Sequence, residues 1–287
     1  MKTTFDEPWK NWIRTNVDNG QGKDGIFKIL LDEGYDYHAI CREMAYEPSV
    51  PLDQLRNPFA DAKAPLDKCE ETNGAPIDIN QLNLANAKKV ENAKLELYTL
   101  EKFLDEDECG KIVQLIRSSL NPSSLSSYEE DSSYRTSRTC DLAQLQNPFV
   151  EEIDDRICKI MGIHSSYSEA IQGQYYEVGE EFKAHTDYFE AHEMQEHGGQ
   201  MGQRTFTVMI YLNDTKKGGH TNFLNIGCQF EPKSGTAVIW NNLNEDGSIN
   251  FDSIHHGMPV IEGYKAIITK WFRSASSLNE APPMFIK

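Results

Sequence analysis

From about residue 168 onward the chain breaks into short runs of alternating polar and apolar residues separated by glycine and proline, which sharply limits the folds open to it. The runs cover residues 169–178, 204–213, 236–240 and 265–272. Strands this short and this closely spaced bury their apolar faces only as a sandwich or a barrel. In the 204–213 run, period two groups Thr205, Thr207, Met209 and Tyr211 on one face and Phe206, Val208, Ile210 and Leu212 on the other. The second set is apolar enough to pack beneath helices, which leaves the first to line a cavity. The last run places Lys265, Ile267, Thr269 and Trp271 together in the same way. A lysine on a cavity-facing surface needs an anion.

The first half of the chain reads differently. Residues 9–46 form short helices interrupted at Asn19-Gly20 and at Gly34, with Ile26, Phe27, Ile29, Leu30 and Leu31 on one stripe. Pro48, Pro51, Pro58, Pro65 and Pro76 then disfavour long helices and central strands. The expected organisation is a small helical module over 1–50, a proline-containing linker over 51–95 that lies along the next domain, and a catalytic domain over 96–287. That domain opens with a strand at Leu97-Tyr-Thr-Leu, then a helix after Phe103 with an acidic first turn, and later a helix from Pro148 to Met161 that stops at Gly162. The expected fold is mainly β with flanking helices.

With 45 acidic against 28 basic side chains the formal charge is −17, which argues against nucleic-acid and anionic-membrane partners. Residues 1–11 lack a signal-peptide apolar run, and no stretch approaches the roughly 20 apolar residues that span a bilayer. A soluble, cytoplasmic protein is expected. Cys41, Cys69, Cys109, Cys140, Cys158 and Cys228 form no CxxC pair, so buried free thiols are expected in place of a disulfide framework.

His185-Thr186-Asp187 sets an imidazole and a carboxylate two residues apart, which on extended backbone project from one face and can share an ion. Alone this tripeptide is weak evidence. His255 supplies a third ligand just before the final strand, in the context Ile-His-His-Gly-Met-Pro. Two histidines and one carboxylate make a facial triad with open coordination positions, the pattern of non-haem Fe(II) oxygenases. A bidentate 2-oxo acid can occupy two of those positions and O2 the third. Lys265 supplies the charge that a dicarboxylate cosubstrate needs at its far end, and Tyr211 on the neighbouring face can add a hydroxyl.

At this point the sequence resembles the prolyl 4-hydroxylase family of Fe(II)- and 2-oxoglutarate-dependent dioxygenases over roughly residues 97–273. The shared pieces are Tyr176-Glu-Val-Gly leading to His185-Thr-Asp, Tyr211-Leu-Asn-Asp, Gly218-Gly-His-Thr-Asn-Phe, Pro232-Lys-Ser-Gly-Thr-Ala-Val-Ile-Trp and His255-His-Gly-Met-Pro through Lys265 to Lys-Trp-Phe. The resemblance implies a double-stranded β-helix (jelly roll) with helices on one side. It implies iron on His185, Asp187 and His255, with Tyr176 near the metal-proximal end of 2-oxoglutarate and Lys265 at its C5 carboxylate. It also implies O2 as oxidant, ascorbate as reductant, and Arg135, Glu169, Arg204 and Trp240 facing a peptide or protein substrate. Of His255 and His256, the family's spacing to Pro259 selects the first.

Two departures bear on the substrate. Phe182 stands where many members carry tyrosine, and Arg273 where the family often has histidine. Residues 189–203 read as a polar, mobile lid loop. Three alternatives stay open. One is hydroxylation of a free amino acid or other small molecule, whose carboxylate Arg135 and Arg204 could clamp. A second is a catalytically silent binding module, which has no need to keep a ligand set beside a buried cation. The third is a zinc hydrolase, which leaves Lys265 unexplained.

Overall fold

The computed structural model describes residues 2–18, 22–55, 74, 77–84, 86–122 and 137–286. Three helices open it: α1 (Glu7–Asp18), α2 (Lys23–Asp32) and α3 (Tyr37–Met44). They share a core of Trp9, Trp12, Ile13, Phe27, Leu30 and Ile40, with Phe5 stacked on Tyr35 at 4.0 Å. Asp36 caps α3 by accepting from the Ala39 N–H. The five described cysteines are free thiols. Among the described residues no helix is long and apolar enough to cross a membrane.

The strands of the described chain are β1 (Lys88–Lys89), β2 (Leu97–Leu100), β3 (Asn121–Pro122), β4 (Arg138–Asp141), β5 (Gln172–Tyr176), β6 (Phe182–His185) and β7 (Arg204–Tyr211). They continue as β8 (Lys217–Gly218), β9 (Thr221–Phe223), β10 (Cys228–Phe230), β11 (Ala237–Asn241), β12 (His255–Gly257), β13 (Val260–Glu262) and β14 (Lys265–Arg273). The large sheet runs β1-β2-β11-β7-β14-β5-β4-β3 and faces a smaller one, β10-β9-β12-β6, while β8 pairs β13. Strands close in sequence exchange between the two sheets, so the fold is a jelly roll, the double-stranded β-helix expected of the sequence. The boundary expected near residue 95 is corrected. Lys88 and Lys89 pair with Thr99 and Tyr98, so the sheet begins within the proline-containing segment; two exposed lysines carry no strand pattern. Ile77 is also buried in the catalytic core, with Ile79, Leu82 and Leu84 packed against it.

Helices α4 (Glu106–Ser118) and α5 (Pro148–Met161) cover the outer face of the large sheet. Asp105 and Glu108 form a reciprocal capping box at the start of α4. Asn147 caps α5 with Pro148 in its first turn, and Gly162 ends it at φ +67, a left-handed conformation that costs glycine little. Cys109, Ile112, Ile116, Ile153, Ile157 and Met161 meet Phe206, Val208, Ile210, Leu212, Ala266, Ile268 and Phe272 in one core. The alternate residues Met209, Tyr211 and Ile267 enter a second core between the sheets, with Tyr176, Phe223, Val238 and Trp240. Period two along β7 and β14 thus separates a packing face from a cavity face.

The helical module lies against the β8–β13 ribbon. Ile261 joins its core, Lys217 pairs with Asp6, and the Lys217 ammonium lies 5.8 Å over the Trp9 ring. Val260, the preceding residue, points the other way into the core between the sheets.

Candidate active site

Pairing of β12 with β6 sets His255 directly opposite His185. The two imidazole centroids lie 4.3 Å apart. Asp187 follows β6 by two residues and is buried. One ligand atom from each of His185, Asp187 and His255 lies within 4.8 Å of the others, close enough for one metal ion.

Each ligand is oriented from behind. His185 Nδ1 donates to the Lys183 carbonyl at 2.7 Å and His255 Nδ1 donates to the Ser253 carbonyl at 3.0 Å, which frees both Nε2 atoms for the metal. Asp187 Oδ2 accepts from Thr207 Oγ1 at 2.7 Å, and Thr207 in turn accepts from Asn242 Nδ2 at 2.9 Å. Burial holds His255 below the ordinary imidazole range, so it presents the neutral ring a metal requires. The donor set of two imidazoles and one carboxylate fits Fe(II).

Neither Thr207 nor Asn242 is legible as a site residue beyond the period-two assignment of Thr207 to the cavity face. Thr207→Val should cut iron affinity roughly ten- to hundredfold, the usual effect of losing a group that orients a metal ligand. Anaerobic Fe(II) titration checks this, and unchanged affinity would show that Asp187 is held without Thr207.

His256 points away from the triad, because successive residues of a strand face opposite ways. It is fully buried and donates to Glu181 Oε2 at 2.9 Å, which locks β12 from its far side. The sequence offers no signal for Glu181.

Lys265 opens β14 and is 1 % exposed. Its ammonium makes no hydrogen bond or ion pair among the described residues. It lies 5.1 Å over the Tyr176 ring and 5.7 Å over the Tyr211 ring. Burial alone pushes its pKa down to about 7. A buried cation without an anion is expensive, and a ligand carboxylate relieves it. Tyr211 does not line the cavity with its hydroxyl: that group donates to Thr221 Oγ1 at 2.7 Å, and Thr221 lines the wall. The Tyr176 hydroxyl donates to Gln174 Oε1 at 2.8 Å. The next glycine after the β8–β13 contact, Gly219, lies close enough that an added Cβ would sit 3.5 Å from Lys265 Cδ.

One cavity joins these groups. His185, Asp187, His255, Lys265, Tyr176 and Trp240 all line it, together with Phe182, Met209, Thr221, Ile267, Thr269 and Trp271. Lys265, Ile267, Thr269 and Trp271 line it along β14, with the triad against its side. Phe182 stacks on His185 with centroids 3.5 Å apart, so the position where many family members carry a hydroxyl is a flat apolar wall.

At the Trp271 end, Arg204 and Glu169 find each other. Arg204 Nε and Nη2 donate to the two Glu169 oxygens at 2.7 and 2.8 Å. The guanidinium lies 4.1 Å from the Trp271 ring centre and 4.6 Å from that of Phe189. Arg273 Nη1 donates to the same carboxylate at 2.9 Å. Burial opposes ionisation of Glu169, but Arg204 and Arg273 overcome it and hold the carboxyl below its ordinary range. The expectation that Arg204 is free to clamp a small carboxylate is therefore corrected: its fork is occupied. Arg135 lies outside the described residues.

The expectation that residues 189–203 form a loop is corrected in its local structure. The segment folds into a helical turn at Ala191–Glu193, a π turn at Met194–Gly198 and a 3-10 turn at Gly199–Met201. Its polar, glycine-containing composition conceals this, because local bonds such as Met194 N–H to the Glu190 carbonyl are joined by bonds from Gln203 and Arg273 that sequence patterns do not report.

A family model for the 2OG-Fe(II) oxygenase superfamily matches residues 171–273, which contain the triad and Lys265. A probable prolyl 4-hydroxylase 4 from Arabidopsis thaliana is 30% identical over 215 residues, 66% of this chain and 71% of the relative. The chain belongs to the prolyl 4-hydroxylase family of 2-oxoglutarate- and Fe(II)-dependent oxygenases. A probable prolyl 4-hydroxylase 10 from the same plant is 30% identical over 60% of this chain and 66% of the relative. The prolyl 4-hydroxylase subunit alpha-1 of Homo sapiens is 34% identical over 51% of this chain but 29% of that subunit. The chain thus spans about two thirds of the plant relatives and under a third of the human subunit. Among solved structures, a viral collagen prolyl hydroxylase from Paramecium Bursaria Chlorella virus-1 superposes with a TM-score of 0.44 at 22% identity, covering 62% of this chain and 95% of that one. As a dioxygenase of this family the enzyme uses Fe(II), 2-oxoglutarate and O2, and the three ligands and Lys265, unpaired among the described residues, are the groups that fit them.

Proposed function

We propose that this dioxygenase hydroxylates a prolyl residue within a peptide or protein segment, with ascorbate as reductant. The observation that carries the reading is the polarity of the cavity. A buried cation awaits an anion at the Lys265 end, while the Trp271 end offers aromatic walls and neutral donors. Trp240 and Trp271 are both buried, and neither indole N–H has an acceptor among the described residues. Such donors suit peptide carbonyls. A free amino acid would bring its carboxylate to an end where both described guanidiniums are already committed to Glu169 and to backbone oxygens. The names of the curated relatives point to the same substrate class.

In this arrangement Lys265 holds the C5 carboxylate of 2-oxoglutarate and turns its 2-oxo acid toward His185, Asp187 and His255. Bound iron and 2-oxoglutarate supply the oxidative chemistry, which couples use of O2 to formation of succinate and carbon dioxide. Trp240 and the Arg204–Glu169 pair orient the substrate carbon toward the metal side of the cavity. A pre-extended polyproline segment enters at low entropic cost. Mass spectrometry of proline-rich peptides and of free proline, each incubated with enzyme, Fe(II), 2-oxoglutarate and ascorbate, tests this. One added oxygen on the peptides is expected. Oxygen gained by free proline alone would overturn the peptidyl reading in favour of a small-molecule hydroxylase.

A further inference from the structure

Residues 190–202 form a cap next to Arg204 and Arg273, whose guanidiniums lie 4.6 and 4.8 Å from the Phe189 ring centre, and two side chains close it. Gln203 seals the base. Its Oε1 accepts from the Phe189 N–H at 2.7 Å and its Nε2 donates to the Phe189 carbonyl at 2.8 Å, so the two ends of the cap are tied together. Arg273 closes the rest from the end of β14. Its Nη2 donates to the carbonyls of His197 at 3.0 Å, Gly198 at 2.9 Å and Gly202 at 2.6 Å, and its Nε donates to Gly202 at 3.1 Å. His197 and Gly198 belong to the π turn and Gly202 follows the 3-10 turn; the Gly198 carbonyl also accepts from the Gly202 N–H at 3.0 Å. The remaining edge of the same guanidinium holds Glu169, the carboxylate that orients Arg204. Its plane also lies 4.8 Å from the Phe189 ring centre.

One side chain therefore couples the shape of the cap to the setting of Arg204. We propose that Arg273 is a substrate-positioning residue, which keeps residues 190–202 as a standing wall of the substrate groove and sets the Arg204–Glu169 pair at its mouth. The proposal rests on the reading of the Trp271 end of the cavity as the substrate end. Lysine is not equivalent here, because a single ammonium cannot span three carbonyls and a carboxylate in the planar fork that arginine presents.

Two measurements on the full-length enzyme test it, using Arg273→Met and Arg273→Lys. Hydrogen exchange reads the clamp without reference to any substrate: amides of 190–202 should exchange faster in Arg273→Met and at an intermediate rate in Arg273→Lys. Steady-state kinetics reads the consequence. The KM for the hydroxylated substrate should rise about tenfold or more in Arg273→Met, as expected for loss of several charged hydrogen bonds that hold a wall in place. The kcat should change much less, and Arg273→Lys should recover part of the KM. Retention of the Fe(II)–2-oxoglutarate absorption band establishes that the variants fold and load. Unchanged exchange in the cap would overturn the clamp, and faster exchange with an unchanged KM would overturn the positioning role. If only a free amino acid is hydroxylated, the peptidyl reading fails by itself. The Arg273 proposal then stands or falls on whether the KM for that amino acid rises in step with the exchange.

Discussion

His185→Ala should lose Fe(II) binding by more than the roughly hundredfold that follows from removing an outer orienting partner. The substitution deletes one of three ligand atoms within 4.8 Å and also the ring on which Phe182 stacks. The neighbouring His256 cannot replace it, since it faces Glu181 on the other side of the strand. Anaerobic iron titration of the folded variant reads the effect directly. Thr207→Val, which keeps all three ligands and removes the hydroxyl between Asp187 and Asn242, should fall between this variant and the native enzyme. Native-like iron affinity in His185→Ala would remove the triad from consideration as the metal site.

Lys265→Ala should raise the 2-oxoglutarate requirement at least about thirtyfold while iron affinity stays within a factor of a few. Truncating one member of a buried, hydrogen-bonded charge pair and stranding the other costs on the order of 2 to 5 kcal/mol. The pH dependence has a definite sign. In the free enzyme burial pushes the Lys265 pKa down to about 7, and a bound carboxylate must raise it. Below pH 7 the ammonium is already present and affinity is flat with respect to this group. Above pH 7, binding has to take up a proton, so affinity should fall by up to roughly tenfold per pH unit until the pKa of the bound state is reached. Lys265→Met should lose both the affinity and this slope. A slope equal to that of the native enzyme in Lys265→Met would assign the titration to another group.

The metal ligands and Lys265 were readable because strand geometry is local. Residues two apart share a face, so His185-Thr-Asp needed only an extended backbone, and the alternation in β7 and β14 divided core from cavity residue by residue. Helix α5 was equally plain, since Asn147-Pro148 and Gly162 mark its two ends. What could not be read depends on groups distant in sequence. Asn242 reaches Asp187 only through Thr207, and Glu181 serves β12 only once β6 lies beside it. The resemblance to the family put Arg204 and Glu169 at one groove, yet nothing in the chain foretold that they bind each other. Arg273 stood out as a departure from the family's histidine, but its role lies in backbone carbonyls that sequence patterns do not report. The same reason hid the fold of residues 189–203. The two-residue strand β1, made of exposed lysines, has no pattern to read at all.

The account turns on iron and 2-oxoglutarate meeting at His185, Asp187 and His255, with Lys265 as the far anchor. Anaerobic addition of both to the native enzyme, followed by visible absorption, is the most direct measurement. The weak charge-transfer band of a chelated 2-oxo acid is expected. It should vanish in His185→Ala and Asp187→Ala, and in Lys265→Ala it should return only at much higher 2-oxoglutarate. A band that persists in both ligand variants, or that forms in Lys265→Ala at the native concentration, would contradict the account.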